Sequence, residues 1–179
     1  LYLPKPNKNG IIEQFSGYFA KEDVTVDIVR QRLRYENEYW GTNNGVAYPT
    51  RVIKQADVLA MLCLLREMFS LDILNKNYHY YYPYTEHGSS LSASMYSISG
   101  FWIGEDKKAY EMLMKSASID LGTNQKMFAG GIYIGGTHPA SAGGTYLSLL
   151  YGLGGFHYDD NGVYLSPVPL KEMKEISFY

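Results

Sequence analysis

Apolar residues that recur at steps of three and four along residues 51–69 constrain the fold of this chain more than any other feature. The positions concerned are Ile53, Ala56, Leu59, Ala60, Cys63, Leu64 and Met68. This spacing places them on one face of an α-helix, because a helix turns once every 3.6 residues. We therefore predict a long helix from Arg51 to Phe69 whose apolar face must be buried against other elements.

Five further helices are predicted from residues that start or stop a helix. Thr25 and Ser92 are good N-caps, and Pro83 disfavours helical geometry in the residue before it. The predicted segments are Thr25–Tyr35, Leu71–Tyr81, Ser92–Ile103, Asp106–Ser118 and a helix from Pro139 or Gly143 to Tyr151. Six helices joined by alternately short and long loops favour stacked antiparallel pairs over a sheet protein.

The pattern changes after Gly155. Residues Tyr158–Leu165 are predicted to form a hairpin around an Asn-Gly turn, and Ile176–Tyr179 alternates as a strand does. The stretch between residues 121 and 136 has no apolar period and is predicted to be a loop. We therefore predict a boundary near residue 155, with residues 156–179 leading into a separate β domain.

Composition excludes several classes of function. With 179 residues, 46% of them hydrophobic, and a net charge of −2, the chain should fold and offers no electrostatic attraction to nucleic acid or membranes. The longest apolar run, Val58–Leu65, is far shorter than the roughly 20 residues that cross a bilayer. Cys63 is the single cysteine, so neither a disulfide nor a zinc cluster is predicted. The chain begins at Leu1 without a signal peptide, and we expect it to be cut from a longer, soluble protein of the cytoplasm.

Tyrosine is unusually frequent, with 18 residues. Its flat apolar face and its hydroxyl suit sugar recognition, but they suit packing at the edge of a core equally well. Because tyrosine is commonly half buried in folded proteins, packing is the favoured interpretation.

The first candidate site is the polar segment Thr85–Ser92, which runs into a predicted helix. A helix start has free backbone N–H groups, and with His87 and several hydroxyls beside them it can hold an oxyanion such as phosphate. The alternative is that Ser89, Ser90 and Ser92 only cap the helix. From the residues alone the capping interpretation is favoured, because serine is common at helix starts.

The second and third candidates are a glycine-rich segment and a polar pair. Gly135–Thr145 also runs into a helix, and its paired glycines would let a ligand approach bare backbone amides. Close packing between helices would equally require small residues there. Lys54 and Gln55 stand at the head of the apolar helix, where they could hydrogen-bond sugar hydroxyls or form its solvated end.

The same three segments resemble a known family. They are Ile53–Val58 with the sequence Ile-Lys-Gln-Ala-Asp-Val, Tyr84–Ser92 with the sequence Tyr-Thr-Glu-His-Gly-Ser-Ser-Leu-Ser, and Gly143–Thr145. In order and spacing they resemble the C-terminal half of the catalytic domain of glycoside hydrolase family 65. Ile11–Tyr18 is similar to the segment that precedes them there, and Leu165–Pro167 resembles the exit into a C-terminal β domain.

The resemblance implies an all-α enzyme fold. Residues 1–155 would form the C-terminal half of an (α/α)6 catalytic barrel, and residues 156–179 would be exit strands toward a small C-terminal β domain. Enzymes of the maltose, kojibiose, trehalose or nigerose phosphorylase kind attack an α-glucoside with inorganic phosphate and release β-glucose 1-phosphate with inversion. The resemblance therefore implies phosphate as a co-substrate and neither a metal nor an organic cofactor.

The resemblance also implies a role for each candidate residue. The implied phosphate-binding residues are His87, Ser89, Ser90, Gly143, Gly144 and Thr145, and the implied sugar-binding residues are Lys54 and Gln55. Phosphate arrives already anionic, so the site needs positioning and charge stabilisation rather than a base that activates water. We expect the loops that hold these residues to lie at one end of the helix pairs, with the histidine acting as a donor or cation toward phosphate.

This sequence departs from the family pattern in three places. Gly88 stands where an acidic residue often follows the motif histidine, and a long loop containing Thr137–Pro139 precedes the Gly-Gly-Thr turn. Both departures leave the acceptor specificity open. The family's general acid is a Glu in a Gly-Pro-Asp-Glu-Tyr type motif, which Glu36 and Glu38 do not match. The catalytic acid is therefore expected upstream, outside this chain.

A chain without that acid is expected to be inactive alone and to depend on a missing N-terminal part of the same protein. The family often forms homodimers, and the resemblance extends that expectation to this protein. Two other functions stay open. One is a hydrolase of the trehalase type on the same barrel, in which water replaces phosphate. The other is a non-catalytic helical carbohydrate-binding or scaffold module, which the absent acid and the many tyrosines would fit.

Overall fold

A computed structural model describes residues 4–35, 38–121, 136–171, 173–175 and 177, together with the backbone of residues 128–129 and 132–133. Its α-helices are α1 (Val26–Arg30), α2 (Asp57–Leu64), α3 (Leu71–Tyr81), α4 (Ser92–Trp102), α5 (Asp106–Ala117) and α6 (Pro139–Leu147). Helix α6 continues into a π-helical turn over Ser148–Leu153, and short 3-10 turns lie at Tyr18–Ala20, Arg66–Met68 and Tyr82–Tyr84. The strands are β1 (Phe128–Ala129), β2 (Ile132–Tyr133), β3 (Phe156–Asp159) and β4 (Gly162–Leu165).

Helix α4 is the central helix of the fold. Nine of its eleven residues are buried, and small residues among them let neighbouring helices approach closely. A Cβ added to Gly100 would lie 2.9 Å from the Cβ of Ala109 on α5. The short connection through Gly104, which has a φ of +79°, makes α4 and α5 an antiparallel pair. The prediction of antiparallel helix pairs is thus confirmed for α4 and α5.

The main core lies between α2, α3 and α4 and is rich in buried tyrosine. Tyr78, Tyr81 and Tyr96 are almost fully buried, and the Tyr78 and Tyr96 rings meet edge to face with centroids 5.3 Å apart. The Tyr81 hydroxyl donates to the Ile12 carbonyl at 2.5 Å, which ties the N-terminal segment to the core. Packing, the interpretation favoured from composition, is the role of these three tyrosines.

Helix α2 is much shorter than predicted. Residue Ile53 forms a parallel β-bridge with Thr85, in which the Ile53 amide donates to the Tyr84 carbonyl at 2.8 Å. The Glu86 amide in turn donates to the Ile53 carbonyl at 2.9 Å. These long-range bonds hold Ile53 in an extended conformation. No helix therefore forms before Asp57, although the apolar period includes Ile53 and Ala56. The prediction of a helix from Arg51 to Phe69 is therefore wrong at both ends, and Lys54 and Gln55 lie in a bend before the helix.

The other predicted helices fare better. The predictions for α3, α4 and α5 are confirmed to within one residue at each end. Helix α1 covers only Val26–Arg30 of the predicted Thr25–Tyr35, and α6 begins at Pro139 rather than Gly143. A two-residue pairing of β1 with β2 lies within the stretch predicted to be a loop.

The chain after Gly155 begins with a hairpin, as predicted. Strands β3 and β4 pair antiparallel, with Phe156 opposite Leu165 and Asp159 opposite Gly162. The predicted strand Ile176–Tyr179 lies largely outside the described residues. The described fold is mostly helical with short antiparallel pairs, and the closed barrel stays a prediction. Within the described ranges, no helix is long and apolar enough to span a membrane.

Candidate functional site

The implied sugar segment and the first implied phosphate segment are bound directly to each other. The Gln55 side-chain amide donates to the Ser89 hydroxyl at 3.4 Å, and the Ser92 hydroxyl donates to the Lys54 carbonyl at 3.3 Å. The β-bridge described above fixes the register of the two segments next to these contacts. A ligand that touches one segment at this point is therefore within reach of the other.

The second implied phosphate segment packs against the same end of α4. A Cβ added to Gly144 would lie 2.5 Å from the Ser94 hydroxyl oxygen, so α6 approaches α4 closely there. The Ser148 hydroxyl donates to the Ser94 carbonyl at 3.1 Å and holds that contact. Ser94 lies in the first turn of α4, directly after the loop that carries His87. Residues of all three candidate segments thus lie at or next to the start of α4, although Gly144 reaches it from within a helix rather than from a loop.

His87 has an unusual backbone conformation and a buried ring. Its φ of +54° lies in the left-handed region, which a side chain enters at a cost. The imidazole lies against Tyr96 with ring centroids 4.6 Å apart and against Tyr82 at 5.0 Å. Its Nε2 lies 3.3 Å from the Tyr82 carbonyl oxygen, while Nδ1 is buried and has no partner among the described residues. The loop thus holds one ring nitrogen in place and leaves the other buried and unpaired.

The environment of His87 keeps the ring neutral. Burial lowers its pKa from 6.5 to about 4, and the positive charge of Lys115 acts in the same direction. Because a carbonyl accepts only, Nε2 carries the proton, and the Nδ1 lone pair is an acceptor. The ring is therefore uncharged at neutral pH in this environment, and its expected role toward phosphate stays a prediction. A neutral imidazole can still accept a hydrogen bond from a protonated phosphate oxygen.

The serines beside His87 have distinct tasks. The Ser89 hydroxyl is buried and accepts from the Leu91 amide at 3.2 Å. The half-buried Ser90 hydroxyl makes no hydrogen bond within the described part of the chain. No side chain caps the first turn of α4. Ser89 thus satisfies one backbone N–H just before the helix, as the capping alternative expects, whereas Ser90 is unpaired within the described residues and is open to a ligand.

Gly143, Gly144 and Thr145 are placed differently from the expected cradle of bare amides. All three lie inside α6, which starts at Pro139, so their amides belong to the helical hydrogen-bond ladder. Gly144 is buried against α4, whereas Gly143 is exposed, with open space where a side chain would be. The Thr145 hydroxyl donates to Ser116 at 2.9 Å. Close packing accounts for Gly144, and the phosphate-binding role of this segment stays a prediction.

The sugar side of the site includes a residue that the sequence reasoning did not single out. Lys54 is exposed, and its Nζ lies 5.6 Å from the centre of the Tyr39 ring. Gln55 is half buried between Lys54 and Ser89. Tyr39 comes from the loop before α2, so only the folded chain brings it to Lys54, and no local pattern indicates the contact.

Two acidic side chains, those of Asp120 and Glu38, accept hydrogen bonds from other residues of the chain. The Asp120 carboxylate accepts from both the backbone N–H and Nδ1 of His138, at 2.8 and 2.7 Å, and so joins the two ends of segment 121–137. Glu38 accepts from the Arg34 amide at 2.6 Å, and Glu36 lies outside the described residues. No cluster of three or more metal-ligating side chains occurs within the ranges that the structure covers.

Comparison with known proteins identifies the family of this chain. The family model described as "Glycosyl hydrolase family 65 central catalytic domain" matches residues 1–145. The chain therefore belongs to glycosyl hydrolase family 65.

Its relatives are glycoside phosphorylases. Nigerose phosphorylase from Lachnoclostridium phytofermentans is 49% identical over 93% of this chain, which covers 22% of that protein. 1,2-alpha-glucosylglycerol phosphorylase from Bacillus selenitireducens is 40% identical over 93% of the chain, covering 22% of that protein. Kojibiose phosphorylase from Thermoanaerobacter brockii is 39% identical over 90% of the chain, covering 20% of that protein.

A solved structure has the same fold. It is provisionally described as a kojibiose phosphorylase from the human microbiome, and it matches 94% of this chain with a TM-score of 0.76 and 30% sequence identity. The match covers 22% of the solved chain. The chain thus spans about a fifth of the length of the relatives it matches.

Proposed function

We propose that the whole protein catalyses the phosphorolysis of an α-glucoside, with inversion, to β-glucose 1-phosphate and a free acceptor. The chain described above would carry the phosphate side of the active site and part of the glucose site. The observation that carries this proposal is the direct contact of the two segments, Gln55 with Ser89 and the Lys54 carbonyl with Ser92. The membership of family 65 and the phosphorylase relatives support it.

The chemistry follows from the positions of the two ligands. Lys54 and Gln55 would hold the glucose ring, and His87, Ser89 and Ser90 would hold phosphate on the adjacent loop. A nucleophile held beside the anomeric carbon reacts as if it were present at very high concentration, which accounts for much of the catalysis of such a displacement. The donors around the phosphate stabilise its charge as it transfers.

The leaving sugar needs a proton, and the sequence has no Gly-Pro-Asp-Glu-Tyr type motif that would supply the family's general acid. Glu38 is committed to the Arg34 amide. We propose that the general acid comes from another part of the same protein, and that residues 1–179 alone are inactive. General acid catalysis contributes typically about 10² to 10⁴ in rate, so its loss would leave little turnover.

Other parts of the proposal concern the whole protein. The closed (α/α)6 barrel, the cytoplasmic location, the homodimer and the absence of a metal or organic cofactor belong to it. Inorganic phosphate is the proposed co-substrate, and the acceptor sugar is left open by the variety of the relatives, which act on nigerose, glucosylglycerol and kojibiose by name.

The experiment that tests the proposal uses the full-length protein with a panel of α-linked glucose disaccharides and glucosylglycerol. Each substrate is incubated with and without phosphate, and glucose 1-phosphate is measured together with its anomeric form by NMR. We expect the β-anomer, released only when phosphate is present. Release of free glucose at the same rate without phosphate would show a hydrolase instead.

A further inference from the structure

The neutral state of His87 leaves a charge to be found. Phosphate at neutral pH carries one to two negative charges, and hydrogen bonds that involve an ion are strongest when the partner is a cation. With a pKa lowered to about 4, His87 is not that cation at neutral pH. Ser89 and Ser90 are neutral as well. A site of these residues needs a positive charge from another element.

Two lysines of helix α5, Lys108 and Lys115, lie on the face of the helix that is turned toward this loop. The Nζ of Lys108 lies 5.4 Å from the centre of the Tyr82 ring, so this face of α5 looks toward the end of α3. Lys115 follows seven residues later, which is about two helical turns and about 10 Å further along the same face. Because α5 runs antiparallel to α4, its last turn lies beside the start of α4. The last turn of α5, which contains Lys115, therefore lies next to the loop of His87.

Electrostatic effects agree with that placement. The charge of Lys115 lowers the pKa of His87. Burial and the charge of Arg30 lower the pKa of Lys115 itself, and Glu86 of the same loop acts in the opposite direction, so Lys115 interacts with two consecutive residues of the loop. Its neighbour Ser116 contacts Thr145 of α6 at 2.9 Å. Lys115 is thus placed between the two segments to which phosphate binding is attributed.

We propose that Lys115 is the cationic residue that binds the phosphate co-substrate beside His87 and Ser90. This inference rests on the proposed function. Arg30 also lies near His87, but it pairs with Asp27 at 3.3 Å, whereas Lys115 forms no ion pair within 4 Å in the described part of the chain. Lys115 as a residue is exposed, although burial lowers the pKa of its ammonium group, and its flexible side chain can turn toward an arriving anion.

The test uses the full-length protein and three variants. Lys115→Gln removes the charge, Lys115→Arg keeps it, and Lys108→Gln removes a matched lysine from the same face of the same helix. Loss of a charge-assisted hydrogen bond should raise KM for phosphate about 10- to 100-fold in Lys115→Gln. The KM for the glucoside should change less than about twofold, because the charge-assisted bond is made to phosphate alone. Lys115→Arg should recover most of the phosphate affinity, and Lys108→Gln should resemble the wild type.

Two results would overturn the inference. One is an unchanged KM for phosphate in Lys115→Gln, and the other is an equal rise in both constants, which would indicate a structural lysine. If Lys115→Gln does not fold, a rise in KM for phosphate without a rise in KM for the glucoside in an Arg30→Gln variant would assign the cationic role to Arg30 and contradict the inference. Failure of the proposed function looks different, because the wild-type protein itself would then show no phosphate-dependent turnover.

Discussion

Two segments of this molecule look alike in sequence and differ in what they do. Both the loop of His87 and the segment of Gly143 place small polar residues before or within a helix that meets the same end of the fold. In the first, Nδ1 of His87 and the Ser90 hydroxyl are left without protein partners in the described residues. In the second, Thr145 is bonded to Ser116 and Gly144 is packed against Ser94. Small residues at a helix end thus leave polar groups unpaired in one place, where we propose that phosphate binds, and allow close helix packing in the other.

The largest effect is expected from the histidine loop. His87→Ala in the full-length protein should raise KM for phosphate and lower kcat, because losing a hydrogen bond to a charged group costs about 1.5 to 3 kcal/mol. Lys54→Ala should do the reverse and weaken glucoside binding more than phosphate binding. Steady-state kinetics with each substrate varied separately measure both. Equal loss of both ligands in His87→Ala, with circular dichroism unchanged, would mean that this histidine is structural.

The glycine segment should respond in stability rather than in substrate affinity. Gly144→Ala places a methyl group 2.5 Å from the Ser94 hydroxyl and 2.7 Å from its Cβ, which the packed helices must accommodate by moving apart. Overpacking of this kind costs about 1 to 3 kcal/mol in the free energy of unfolding. Denaturant unfolding of the full-length protein measures it. A wild-type stability in Gly144→Ala would contradict the close approach of α6 to α4.

The fold and the site could be predicted from the sequence to different degrees. The ends of α3 and α4 are set by local signals such as Pro83 and Gly104, and those predictions are confirmed, whereas Ser92 is the first residue of α4 and does not cap it. The start of α2 is set by the bridge of Ile53 with Thr85, a pairing over more than 30 residues that no local pattern shows. Such long-range contacts override the intrinsic helical preference of the segment.

The site shows the same limit. The motif identified His87, but its neutral state comes from burial against Tyr96 and from the contact with Tyr82. Lys115 lies seven residues after Lys108 on one face of α5, yet only the packed fold shows that this face meets the loop. Chemistry that depends on burial or on the orientation of a helix could not be predicted from spacing alone.

The buried histidine should also make the two segments differ in acid. The unfolded chain protonates His87 near pH 6.5, whereas the folded protein does so near pH 4, so the folded state loses stability as the pH falls between these values. The slope is at most about 1.4 kcal/mol per pH unit for one group. Unfolding of wild type and of His87→Gln at pH 7, 6, 5 and 4 isolates this contribution. A constant difference between the two proteins across that range would show that His87 is not buried in a neutral state.

The smallest effect is expected at Gly143. A side chain there meets open space, so Gly143→Ala should stabilise α6 by about 0.5 to 1 kcal/mol, as alanine does at an exposed helical position. Thermal unfolding measures the gain. If the KM for phosphate rises in this more stable variant, then α6 contacts the ligand through Gly143, and the contrast between the two segments becomes one of degree.

The measurement that tests the central claim most directly is a crystal structure of the full-length protein with glucose and phosphate bound. The account predicts phosphate within hydrogen-bonding distance, about 2.6 to 3.2 Å, of Nδ1 of His87 and the Ser90 hydroxyl, with glucose against Lys54 and Gln55. Lys115 should reach the same anion. Phosphate bound elsewhere, with Nδ1 of His87 still buried and unpaired, would contradict the assignment of this loop as the phosphate site.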